Sequence, residues 1–291
     1  MAIDQVDIRR IAGVSAARRQ MEGDGFEVRR ALPSAGIDRI GPFIFLDHMG
    51  PVRLPANSTQ GFPEHPHAGI ETLTYLVQGR MAHRDSIGNA SVMRPGEAQW
   101  MRAGRGILHE ETPDPSLLQE GGTLEGLQFW LDLPPEEKQV VPAYRQVNRD
   151  EIPEVSLDGG SLRLIAGSYG RAKGPIETFG TPFLAHLTVK PGMRVRLDAP
   201  AEELAVYMFR GHATFSGGQE AAEDFLLLFT GGEHIDIRAG DGIAELMLFG
   251  GDRMTSEMVR YGPFVTNSIE AMRATIAAFQ RGEFGRLPAR A

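Results

Sequence analysis

The chain has 291 residues, 42% of them hydrophobic and 23% charged, which is a globular composition with room for two cores of ordinary size. A formal charge of −8 opposes sequence-independent nucleic-acid binding, which needs a basic surface to release counterions. The absence of cysteine excludes a disulfide framework, a thiolate metal site and a cysteine redox switch, leaving imidazole and oxygen as the metal donors on offer.

The stretch Met1-Ala2-Ile3-Asp4-Gln5-Val6-Asp7 has no basic region leading into an apolar one, and no run approaches the roughly 20 apolar residues of a membrane span. A cytoplasmic protein without membrane contact is expected. The 35 glycines and 19 prolines are scattered as single turn markers, which predicts an all-β chain of many short strands.

Chemistry enters at Glu64-His65-Pro66-His67. Successive side chains of an extended strand point to opposite faces, so His65 and His67 share one face. The β-branched and aromatic run Ile70-Glu71-Thr72-Leu73-Thr74-Tyr75-Leu76-Val77 follows and closes in Gln78-Gly79, a strand with turn chemistry at its end. After Gly104-Arg105-Gly106-Ile107-Leu108 come His109-Glu110-Glu111, where His109 and Glu111 again share a face. Two such pairs facing each other supply four ligands for one mononuclear metal. Glu71 has the same parity as His65 and His67 if Gly69 does not disturb the alternation, so either glutamate can complete the set. Asp47 and His48 precede the motif and either line its mouth or serve a turn. The histidines at His83, His186, His212 and His234 lack a paired ligand at useful spacing and read as structural or solvated.

An internal repeat organises the chain. Residues 96–107 match 232–243 with seven identities in twelve positions, and Glu71 to Gly79 matches Glu203 to Gly211. Carried onto the ligand positions, the offsets put Leu197 and Ala199 where His65 and His67 stand, and Glu245 and Met247 where His109 and Glu111 stand. The second half then holds no such metal, and one metal per chain is expected. Leu133-Pro134-Pro135-Glu136-Glu137-Lys138-Gln139 reads as the connection, giving a metal-binding domain over 1–134, a linker over 135–142 and a second domain over 143–291. Near its end the pattern turns helical over about 268–281, with Ile269, Met272, Ile276 and Phe279 on one face and Asn267 to Glu270 spaced like a capping box.

These motifs carry a resemblance. Gly41-Pro42-Phe43-Ile44-Phe45-Leu46-Asp47, Phe62-Pro63-Glu64-His65-Pro66-His67-Ala68-Gly69-Ile70-Glu71-Thr72, Gln99-Trp100-Met101-Arg102-Ala103-Gly104-Arg105-Gly106-Ile107-Leu108-His109-Glu110-Glu111 and Tyr261-Gly262-Pro263-Phe264-Val265-Thr266-Asn267 together resemble the pirins. Pirins are a bicupin family whose bacterial members include quercetin-cleaving dioxygenases. The resemblance implies two jelly-roll cupin barrels packed together, with a C-terminal α-helix. It implies a divalent metal, usually iron, held by His65, His67, His109 and Glu111, with Glu71 orienting a ligand from behind. The donor types alone suit Fe, Mn, Co, Ni, Cu or Zn, and three imidazoles with one carboxylate leave an open coordination position. The implied reaction is ring opening of a flavonol with O2 and loss of carbon monoxide, the metal acidifying the 3-hydroxyl and Glu111 accepting its proton. Its partners are then a small aromatic substrate and O2. Some pirins resemble metal-dependent regulators that bind a transcription factor or metabolic enzyme, so a protein partner is the competing expectation.

Overall fold

The computed structural model of the protein describes residues 8–288. The Met1 to Asp7 stretch and the two outer limits of the expected domains lie outside them. The chain divides into two compact units that interleave along the sequence. One, the histidine unit, comprises Arg19–Arg30, Ile44–Arg149 and Thr255–Ala291, and the other, the apolar unit, comprises Met1–Arg18, Ala31–Phe43 and Asp150–Met254.

Short alternating segments punctuated by glycine build a seven-stranded and a four-stranded sheet in each unit, the double-sheet barrel implied by the resemblance. In the histidine unit the larger sheet runs, neighbour to neighbour, Ala143–Val147, Ala98–Arg102, Ile70–Gln78, Gly122–Asp132, Phe43–Leu54, Phe26–Leu32 and Arg18–Glu22. Its smaller sheet runs Phe62–His67, Ile107–Pro113, Met81–Asp85 and Ala90–Met93. The apolar unit repeats this order strand for strand: Ile11–Ala16, Phe225–Phe229, Glu203–Arg210, Ala244–Gly251, Phe183–Val189, Gly160–Ala166 and Glu154–Leu157, then Arg194–Asp198, His234–Ala239, His212–Phe215 and Glu220–Ala222.

The interiors differ. Between the sheets of the apolar unit Leu162, Leu187, Val206 and Leu248 meet Val195, Leu197, Ile235 and Ile237, all essentially without solvent exposure. Each such side chain contributes about 1.5–3 kcal/mol. In the histidine unit a comparable cluster of Phe26, Val28, Met49, Leu76, Met81 and Met93 fills only part of the interior. The remainder is polar.

This pairing corrects the expected register of the repeat. His65 pairs with His109 and His67 with Ile107, whereas in the other unit Val195 pairs with Ile237 and Leu197 with Ile235. Val195, Leu197 and Ile237 therefore stand where the first unit has its histidines. Glu245 and Met247 lie in Ala244–Gly251, the counterpart of Gly122–Asp132, one strand beyond the expected position. The look-alike glycine turns explain the slip: Gly104 and Gly106 are left-handed, at φ 51° and 139°, and Gly240 and Gly242 are not. Equal letters there make unequal turns.

The expected linker is part of the histidine unit. Pro135–Glu137 is a single 3-10 turn, and Lys138 behind it is buried against Asp132 while its Nζ donates to the Gly69 carbonyl at 2.9 Å. Ala143–Val147 then pairs with Ala98–Arg102, so the change of unit falls near Arg149. The helix Ile269–Gln280 belongs to the histidine unit rather than the second half. Ser268, not Asn267, caps it, its hydroxyl accepting from the Ala271 N–H at 3.1 Å. Met272 is buried with Ala68, Phe264 and Phe284, and Ile276 packs beside them, but Ile269 at the start of the expected stripe is 64% exposed. Among the described residues no helix is long and apolar enough to cross a membrane.

Candidate metal centre

Three imidazoles converge on the inner face of the small sheet of the histidine unit. His65, His67 and His109 present ring nitrogens within 4.8 Å of one another. Antiparallel pairing puts His65 directly opposite His109, and alternation puts His67 on the same face. Gly69, left-handed at φ 74°, ends that strand and sends the chain into the larger sheet.

The rings are set up as donors. His65 Nδ1–H donates to the Pro63 carbonyl at 2.7 Å and His67 Nδ1–H to that of Pro263 at 3.4 Å, which leaves each Nε2 lone pair for a ligand. Both ring nitrogens of His109 are buried without a hydrogen-bond partner, an arrangement that costs free energy unless something binds there. Burial first, and then the neighbouring imidazoles, hold His67 and His109 well below the ordinary histidine range, so both are neutral at pH 7. Converging imidazoles with Nε2 left free on His65 and His67 and both nitrogens unpartnered on His109 fit a divalent metal.

Glu111 lies two residues beyond His109 on the same strand and does not join the three-histidine group. A bulge between His109 and Glu111 places Phe62 opposite it on one side, with His83 opposite on the other. Its carboxylate accepts three hydrogen bonds: Oε1 from Thr74 at 3.2 Å and from Gln99, and Oε2 from Gln128 Nε2 at 2.7 Å. Those three donors form one cross-strand row, since Gln128 pairs with Thr74 and Thr74 with Gln99. The Tyr144 hydroxyl, kept protonated by burial, donates to Gln99 Oε1 at 3.2 Å and so fixes which way that amide points.

Glu71 lies at the opposite parity to Thr74, and its Oε1 accepts from Arg102, its cross-strand neighbour, at 2.9 Å. The turn at Gly69 cancels the parity on which its candidacy as a ligand rested. Asp47 lines the pocket above the histidines, and Arg30 donates to it through Nε at 2.8 Å and a terminal nitrogen at 2.7 Å. His48 is instead buried behind, between Glu125 and Arg29. His83 is buried too, stacked on Tyr144 with centroids 4.3 Å apart and 5.4 Å from the His109 ring. Its signal lay in His83-Arg84-Asp85, whose ends share a strand face and whose side chains approach to 3.3 Å.

The pocket has a volume of about 410 Å³. Its wall is the stacked pair Phe45 and Trp130, with centroids 4.2 Å apart, under the guanidinium groups of Arg30 and Arg260. His65, His67 and Gln128 reach it from below. The sequence reading missed Gln99, Gln128, Phe45, Trp130, Arg30 and Arg260 as site residues because no local spacing connects them.

Comparison with known proteins gives the same picture. The Pirin family profile matches residues 25–131, and that of the Pirin C-terminal cupin domain matches residues 184–285. A Pseudomonas aeruginosa protein named "Putative quercetin 2,3-dioxygenase" is 35% identical over 285 residues, spanning 95% of this chain and 99% of its own length. A pirin-like protein of Caulobacter vibrioides is 35% identical over 273 residues, spanning 91% and 92%. The crystal structure of a quercetin 2,3-dioxygenase from Acinetobacter baumannii matches with a TM-score of 0.90 at 30% identity, covering 96% of this chain and 99% of that one. On the strength of these matches and of its two cupin domains, the chain belongs to the pirin family.

Proposed function

We propose that the protein opens the ring of a flavonol such as quercetin with O2, releasing carbon monoxide, and that iron is its working metal. The observation that carries this reading is a converging histidine group, with ring nitrogens left free for a ligand, at an aromatic-walled pocket of about 410 Å³. That volume lies within the roughly 300–1,000 Å³ of small-molecule sites. The relatives named for quercetin cleavage span nearly the whole chain and support the same reading.

His65, His67 and His109 hold the metal in this reading, and Glu111, whose Oε1 is filled by Thr74 and Gln99, serves as the base beside it rather than as a fourth donor. When bound, a divalent ion supplies Lewis acidity that lowers the pKa of a substrate hydroxyl. The stacked pair Phe45 and Trp130 forms an apolar wall for the substrate, and Arg30, lying over Phe45, stiffens that wall through Asp47. Glu111 takes the hydroxyl proton at Oε2, which accepts one hydrogen bond from Gln128 and keeps a second acceptor position. Loss of that proton leaves an electron-rich ring for O2, so no organic cofactor is needed.

The test is anaerobic reconstitution with Fe(II), metal analysis, then addition of quercetin and O2 with carbon monoxide detection. One metal per chain with carbon monoxide release that Glu111→Gln abolishes is the expected result. Metal without release overturns ring cleavage of flavonols, and failure to bind metal overturns the histidine centre itself.

A further inference from the structure

Gln128 has a second polar end that the mechanism does not use. Its amide NH2 is committed to Glu111 Oε2 at 2.7 Å, and a carboxylate can only accept, so the orientation of the amide is set. Among the described residues no donor is bonded to the side-chain oxygen of Gln128, and that oxygen is not sealed from solvent. Gln128 lines the pocket beside His65, His67 and Trp130. The backbone holds the side chain in place, because Gln128 lies mid-strand between Leu127, paired with Tyr75, and Phe129, paired with Leu73.

We infer that Gln128 is a specificity-determining residue whose side-chain oxygen accepts a hydrogen bond from a hydroxyl of the substrate other than the one that loses its proton. The site thus selects flat aromatics carrying at least two hydroxyl donors over singly hydroxylated or O-methylated ones. This inference rests on the ring-cleavage reading for its ligand class, though not on turnover. A hydroxyl bonded to a fixed acceptor inside a pocket is favoured over its absence because the acceptor would otherwise lose water without compensation.

The experiment is calorimetric titration of the anaerobic metal-loaded protein with quercetin and with 3-hydroxyflavone, in the parent and in Gln128→Met. The parent binds quercetin about tenfold more tightly. Gln128→Met, of similar volume but without a strong acceptor, brings the ratio to within about twofold. A preference that persists in Gln128→Met overturns the inference while leaving ring cleavage standing. The expected ratios without carbon monoxide release in the parent overturn ring cleavage and uphold the inference. Absence of binding by both flavonols overturns both.

Discussion

His109 has two buried ring nitrogens without a protein partner, which makes the residue a liability to the metal-free fold. Each unsatisfied polar group costs about 1–3 kcal/mol, and the metal removes that cost. His109→Leu is therefore expected to bind no metal yet to unfold at a higher urea concentration than the metal-free parent. A lower midpoint for the variant would show that the imidazole has a structural partner. Lys138 shows the opposite balance. It is buried against Asp132 and also ties down the Gly69 carbonyl, so Lys138→Ala removes the cation of a buried ion pair and is expected to cost about 3–5 kcal/mol in equilibrium unfolding. At this scale His65, His67 and His109 were legible because strand alternation is a local rule. Thr74, Gln99 and Gln128 were not, because they become neighbours only through the register of three strands.

Turns decide how the elements present these residues. Gly69 sits at φ 74°, and a Cβ added there would lie 1.8 Å from the Val265 carbonyl oxygen. Gly69→Ala combines a strained backbone with a clash against backbone and is expected to cost about 3 kcal/mol or more, with loss of metal in parallel. The end of the chain braces the same region. Phe284 packs with Ala68, Phe264 and Met272, and its carbonyl accepts from the Ser86 hydroxyl at 2.6 Å. Ser86 Oγ in turn accepts from the Leu108 N–H, next to His109, at 3.1 Å. Phe284→Ala should lower unfolding stability by about 3–5 kcal/mol and weaken metal binding measured by calorimetry, whereas unchanged metal affinity would separate this brace from the centre. The helix itself was legible from its period, but its cap and its unit were not. Ser268 competes with Asn267 as a cap on nearly equal terms, and no local pattern says which barrel a terminal helix joins.

Over the whole molecule the two barrels share a strand order and differ in what fills them. Val195, Leu197 and Ile237 occupy the histidine positions of the apolar unit, so His65→Ala combined with His109→Ala is expected to leave no metal per chain by elemental analysis. The apolar unit also has an acid-sensitive feature. Burial works to raise the Asp236 carboxyl, but hydrogen bonds and charge from Arg196 and Arg194 outweigh it and hold it below its ordinary value. The folded state then binds fewer protons than the unfolded one, so this contribution is present above about pH 4 and is lost as pH falls through the lowered folded value. Asp236→Asn should flatten the acid limb of the stability curve by about 1 kcal/mol, a modest amount because both arginines are largely exposed. The all-β class and the histidine triplet follow from the sequence alone, because alternation, turn residues and donor type act over a few neighbouring positions, and the two barrels follow from the resemblance its motifs carry. Only the tertiary structure decided which strand answers which in the repeat, where the chain changes units, and how Glu111 and Glu71 are bonded. Those outcomes depend on left-handed glycines and on pairing between strands far apart in the chain, and neither leaves a local pattern.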